Sequence, residues 1–119
     1  MKFAGWFFII VAVLMAGQWG FFLAAGDVPE LRTEPLRIGF HLAAEFASAA
    51  ALLAGGAGLL RGRPWGRALG LFAAGMLAYT CIVSPGYFAQ LGQWPLVGMF
   101  AALLALDCLA AVKLIRAGG

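Results

Sequence analysis

Read for polarity alone, the chain is four long apolar runs separated by three short polar breaks. The first run, residues 3–25, carries no charge, and Gln18 is its one strongly polar side chain. The second, residues 38–60, is interrupted only by His41, Glu45 and Ser48. The third, residues 68–83, is shorter. It is followed by Ser84, Pro85 and Gly86, a sequence that predicts a helix stop because proline lacks an N–H and clashes with the preceding turn. The fourth, residues 95–115, holds Asp107 and Lys113, and Pro95 suits a first helical position, where its missing N–H is no loss.

A hydrocarbon core about 30 Å thick needs roughly 20 helical residues to cross it. Each run predicts one such crossing. No sustained period-two alternation is present, and the runs are too long for barrel strands. The expected architecture is an all-α integral membrane protein, a four-transmembrane-helix bundle forming one membrane domain over residues 1–119. The longest break, residues 26–37, is too short to hold a core of its own. A cleaved leader is the competing account of the first run, but a run of about 23 residues is long for one and no clean small-x-small cleavage site follows.

Composition agrees with this picture. Hydrophobic residues make up 64% and charged residues 11% of the 119. An ordinary soluble domain is about half apolar and about a quarter charged. These proportions exclude a water-soluble enzyme, a free nucleic-acid-binding module and a disordered tail. The net charge of +3 is explained by where the charges fall. Lys2, Arg61, Arg63, Arg67, Lys113 and Arg116 lie on one side of a four-span topology. Arg32 and Arg37 lie on the other, offset by Asp27, Glu30 and Glu34. The positive-inside rule then places both termini and the arginine loop, residues 61–67, in the cytoplasm. The expected location is a multi-pass position in a cell membrane of the bacterial or archaeal inner-membrane kind. The expected partners are the lipid bilayer and either further copies of the chain or a larger membrane partner, with no nucleic acid.

Small residues recur at spacings of four: Ala47, Ala51 and Gly55; Gly58 and Gly62; Gly66 and Gly70. Such spacing lets helix backbones approach closely where no hydrophobic effect drives association. Packing within one bundle is the simpler use, and a dimer seam the other. The two cysteines, Cys81 and Cys108, are predicted to differ in depth by roughly 9 Å, too far for the Cα separation of about 7 Å that a disulfide tolerates.

Ionisable residues inside a membrane are expensive and mark candidate sites. Arg37, His41, Glu45 and Ser48 are spaced four, four and three apart, which puts them on one helix face. That stripe is polar in the outer half of the bilayer and apolar or small below, the shape of a blind pocket open to the outside or of a half-channel. By depth alone, Gln18 on the first span and Tyr79 and Thr80 on the third share the level of Glu45. The predicted ring is therefore Gln18, His41, Glu45 and Tyr79. Asp107 is expected near the midplane, roughly 8 Å below Glu45. Three roles fit it: a protonated hydrogen bond within the bundle, a partner across a subunit interface, or a step in a proton path. The aromatic stretch at residues 84–94 is expected to lie on the outer interface, either as an anchor or as a lid over the pocket.

A single histidine and no C-x-x-C give no metal-ligand pattern, and no phosphate-binding or dinucleotide-binding loop is present. No cofactor is implied by any motif. Three functions remain. One is binding or transport of a small molecule or proton through the His41 and Glu45 pocket, with Asp107, Tyr79 and Gln18 contributing, in an oligomer. The second is a membrane-embedded enzyme using His41 and Glu45 as an acid/base pair on a lipid-like substrate. The third is a non-catalytic accessory subunit of a larger complex.

Overall fold

The computed structural model describes residues 2–26 and 28–118. Asp27, counted above among the outer-side charges, lies outside the described residues. Among the described residues five helices follow in order: α1 (Lys2–Ala24), the single turn α2 (Glu30–Thr33), α3 (Pro35–Leu60), α4 (Gly66–Gln90) and α5 (Trp94–Gly118). Four of them are long and apolar enough to cross a membrane. The chain is thus an all-helical, multi-pass membrane bundle in contact with lipid, 47 Å along its longest axis.

The helix ends show why each element stops where it does. Pro35 opens α3 in the first turn, where its missing N–H leaves nothing unpaired. The α3 to α4 and α4 to α5 turns both close on a glycine in the left-handed region, Gly62 at φ +67° and Gly92 at φ +73°. In each, two backbone bonds reach back over the last turn: Gly62 to Leu59 and Arg63 to Gly58, then Gly92 to Ala89 and Gln93 to Phe88. A side chain at φ near +70° would clash with its own carbonyl, so glycine sets both stops.

One boundary corrects the sequence expectation. The helix does not end at Ser84-Pro85-Gly86; Pro85 sits inside α4, which runs on to Gln90. Proline forfeits one intrahelical bond. Wherever the next two turns lie within hydrocarbon, unwinding them would strand many more backbone groups, each at a cost of several kcal/mol. The connection to α5 is therefore only Leu91, Gly92 and Gln93. Tyr87 and Phe88 belong to α4 and form no lid. Phe88 stacks on Phe100 of α5 with ring centroids 5.8 Å apart, which ties the two helices together near that turn.

Packing follows the small residues. The helices form a chain of neighbours: α1 against α3, α3 against α4, α4 against α5. A Cβ on Gly66 would lie 2.6 Å from the Gly58 carbonyl carbon, and one on Gly55 would lie 3.0 Å from Gly70 Cα. A Cβ on Gly56 would lie 2.7 Å from the Gly5 carbonyl oxygen. The glycines are thus a seam within one bundle, holding α1, α3 and α4 at backbone contact. Phe8, Leu52, Leu77 and Leu114 fill the space between them and are fully buried.

Burial is lopsided along the axis. The buried residues of α1 end at Ala12, those of α4 at Cys81, and those of α5 begin only at Asp107. The end carrying the arginine turn is closed; the opposite half is open. Both chain ends belong to the closed end. Lys113 Nζ sits 5.1 Å above the centre of the Phe3 ring. Arg67 Nε donates to the Leu114 carbonyl at 2.8 Å, with a second donation to Ile115 at 3.4 Å. A guanidinium is well placed there, where helix carbonyls near the C-terminus carry partial negative charge.

Candidate functional site

Glu45 lies on the inward stripe of α3, together with Leu42, Ser48, Ala49 and Leu52. These positions repeat every three to four residues and face α1 and α4. The register that brings Gly55 opposite Gly70 also brings Glu45 opposite Thr80. Thr80 Oγ1 donates to Glu45 Oε1 at 3.0 Å. Sequence depth placed Thr80 at this level, and the structure turns its hydroxyl across the interface. Ser48 is the residue that bonds back, donating to the Ala44 carbonyl at 2.8 Å.

His41, one turn nearer the outer end, approaches the same carboxylate. Its Nε2 is 3.7 Å from Glu45 Oε1, beyond direct hydrogen-bond distance but close enough for a charge interaction when the ring is protonated. The His41 side chain is 41% exposed and that of Glu45 only 7%. The ring is steadied from α1 by Trp19, edge to face at 5.6 Å. Trp19 was not among the sequence candidates. Its neighbour Gln18 was, but Gln18 is exposed and lies outside the cavity lining. The interior of α1 at this level is thus reached by an aromatic rather than an amide.

Between α3 and α4 these residues line a cavity of about 280 Å³, bounded by His41, Ala44, Glu45, Ser48, Met76, Tyr79, Thr80, Val83 and Ser84. His41, Glu45 and Tyr79 come together as the depth argument predicts. Tyr79 is 70% exposed and stands at the rim. Arg37, the first member of the sequence stripe, turns away. It is exposed and pairs with Glu34 at 3.1 Å.

Asp107 is a separate feature. It is 2% exposed, on the inward stripe of α5 with Ala110 and Leu114, and does not line the cavity. Among the described residues its Oδ1 is the one buried side-chain oxygen or nitrogen without a hydrogen-bond partner. Cys81, buried on α4, is within electrostatic reach of both Asp107 and Glu45. Cys108 faces outwards, and both thiols are free.

Chemically, the site offers a carboxylate with one oxygen engaged and one available, an imidazole beside it, and two uncommitted hydroxyls, on Tyr79 and Ser84. It can accept a proton or a hydrogen-bond donor. No match was found among curated proteins or among solved structures. Over residues 1–118 the chain matches the family described as a domain of unknown function (DUF8058), and it belongs to that family.

Proposed function

We propose that this protein binds a small molecule or a proton at the Glu45 cavity and carries it across a cell membrane, working as an oligomer. One observation supports this most. Glu45, buried on a candidate membrane span, takes among the described residues one hydrogen bond, from Thr80, and lines a largely apolar cavity. A leucine there would avoid the cost of a few kcal/mol that an intramembrane acid carries, so its retention is explained by use. Oligomerisation is part of the proposal because the closed end is filled by Phe8, Leu52, Leu77 and Leu114. No path runs through that packing, and translocation then requires a surface shared with a second chain.

The same proposal orients the bundle. The closed end carries Lys2, Arg61, Arg63, Arg67, Lys113 and Arg116, and the positive-inside rule assigns it to the cytoplasm. The cavity then belongs to the outer half. A second reading, a membrane-embedded enzyme, is favoured by the 3.7 Å approach of His41 to Glu45, a geometry suited to moving a proton on a bound lipid-like substrate.

Reconstitution separates the two. In sealed liposomes loaded with a pH-sensitive dye, the wild type is expected to dissipate an imposed proton gradient faster than Glu45→Gln. Equal rates for the wild type, the variant and protein-free liposomes overturn proton transport. Turnover of a lipid extract in detergent, with no gradient, supports the enzyme.

A further inference from the structure

The rim of the cavity says how a ligand arrives. Residues 41–48 lie roughly 9 to 20 Å along α3 from its outer end, within the hydrocarbon thickness of the bilayer. At that depth the rim is Ala44, Tyr79 and Val83, all exposed on the outer surface of the α3 and α4 pair. The opening therefore faces acyl chains, where the sequence suggested a mouth facing water. What enters by it is already dissolved in the membrane.

The lining says what kind of head group fits. Among the described residues Glu45 is the one acidic residue on it and His41, 3.7 Å away, the one basic residue, with neither lysine nor arginine. The nearest arginine, Arg37, is held by Glu34. Glu45 Oε1 is engaged by Thr80, and among the described residues Oε2 has no donor. The Ser48 hydroxyl proton is committed to a backbone carbonyl. The cavity thus presents a hydrogen-bond acceptor to an incoming donor. Its volume of about 280 Å³ equals that of roughly nine liquid waters, enough for a small head group and its first methylenes.

We infer that the cavity takes a membrane-soluble amine. The apolar tail lies against Met76 and Val83 and stays in lipid, and the protonated amino head donates to Glu45 Oε2. An anionic head would meet a like charge at low dielectric, where repulsion is strong. A neutral alcohol could donate to the same oxygen but would make only the weaker, uncharged bond, whereas an ammonium makes the stronger, charge-assisted one. This inference rests on the proposed binding function and names its ligand class.

The test is equilibrium binding of tritiated dodecylamine to the protein in phosphatidylcholine nanodiscs, with empty nanodiscs as background. Unlabelled dodecylamine, dodecanol and dodecanoate serve as competitors, so only the head group varies. The expected result is saturable binding, displaced by dodecylamine and not by the other two, and weakened at least tenfold in Glu45→Gln. A second variant, Ala44→Trp, fills the rim from its lipid-facing side without touching Glu45 or the packed end. It is expected to weaken binding at least as much, so a folding failure of Glu45→Gln does not decide the matter. Absence of saturable binding, or binding by both variants as tight as by the wild type, overturns the inference. Displacement by dodecanol or dodecanoate as effective as by dodecylamine overturns the amine class and leaves a Glu45 binding site standing. The proton-gradient assay tests proton transport independently of any amine.

Discussion

Thr80 holds Glu45 from the neighbouring helix, donating to Oε1 at 3.0 Å, and among the described residues it is the carboxylate's one hydrogen-bond donor. Thr80→Val keeps the shape and removes the donor. The bundle is expected to lose about 0.6–2 kcal/mol, the range for interhelical hydrogen bonds in membranes, while Thr80→Ser stays near the wild type. Unfolding equilibria in bicelles measure the difference. Equal stability of the valine and serine variants would mean that the bond contributes nothing.

The glycine seam predicts a contrast between two positions on one helix. A Cβ at Gly66 meets Gly58 and Leu59 backbone atoms at 2.6 and 2.7 Å, which cannot rotate away. Gly75 is exposed, with nothing within 4 Å of its added Cβ. Gly66→Ala is expected to cost about 1–3 kcal/mol by overpacking. Gly75→Ala is expected to be neutral or to stabilise by up to about 1 kcal/mol through better helix propensity. Thermal denaturation of the two purified variants is the check.

Arg67 and Arg61 share a turn but not a role. Arg67 reaches the α5 carbonyls of Leu114 and Ile115; Arg61 is exposed. Arg67→Ala is expected to lose about 1.5–3 kcal/mol, typical for charged hydrogen bonds, and Arg61→Ala less than about 0.5 kcal/mol. Arg67→Lys recovers only part, since an ammonium lacks the fork that addresses two carbonyls. Limited proteolysis at the C-terminus gives an independent readout of α5 docking.

Asp107 has a buried oxygen without a partner. Leaving a buried polar atom unsatisfied costs about 1–3 kcal/mol, and an apolar group of similar shape can be neutral or better. Asp107→Val is therefore expected to melt at or above the wild-type temperature. If proton-gradient dissipation falls in that stable variant, the carboxyl serves the proposed transport and not the fold. A lower melting temperature would instead show that Asp107 is structurally engaged.

The proposed orientation has a direct consequence for labelling. Gln93 lies exposed in the turn between α4 and α5, at the open end, and Ala117 lies exposed at the closed end. In intact cells an impermeant maleimide is expected to modify Gln93→Cys and to reach Ala117→Cys only after permeabilisation. The reverse pattern inverts the assignment of sides.

Helix count and rough extent were legible because hydrocarbon demands long uninterrupted apolar runs, and nothing else in so small a chain produces four of them. Glu45 was legible because a carboxylate on an i, i+4, i+7 stripe has few innocent explanations. Pro85 misled because local helix breaking was weighed without the cost of exposing backbone to lipid. Gln18 misled for a different reason. Helix α1 is apolar on every side, so its sequence does not say which face turns inwards, and depth alone cannot distinguish Gln18 from Trp19. The inward turn of Arg67 was likewise hidden, since its charge marks a membrane side and its hydrogen bonds depend on where α5 happens to end.

The backbone contact at Gly55 and Gly70 makes the α3 and α4 pair a lever with its fulcrum off centre. Glu45 stands about 15 Å from that fulcrum and the outer end of α3 about 30 Å, at 1.5 Å per residue. A tilt of roughly 5° about the glycines would shift the Glu45 backbone by only about 1.3 Å and the outer end by about 2.6 Å. Added to the 3.0 Å bond from Thr80, the first displacement would carry the pair beyond hydrogen-bond range; the second is small enough for lipid to absorb. A bulkier residue at Gly55 or Gly70 would not merely loosen the bundle. It would relocate the pivot, and with it the leverage acting on the carboxylate.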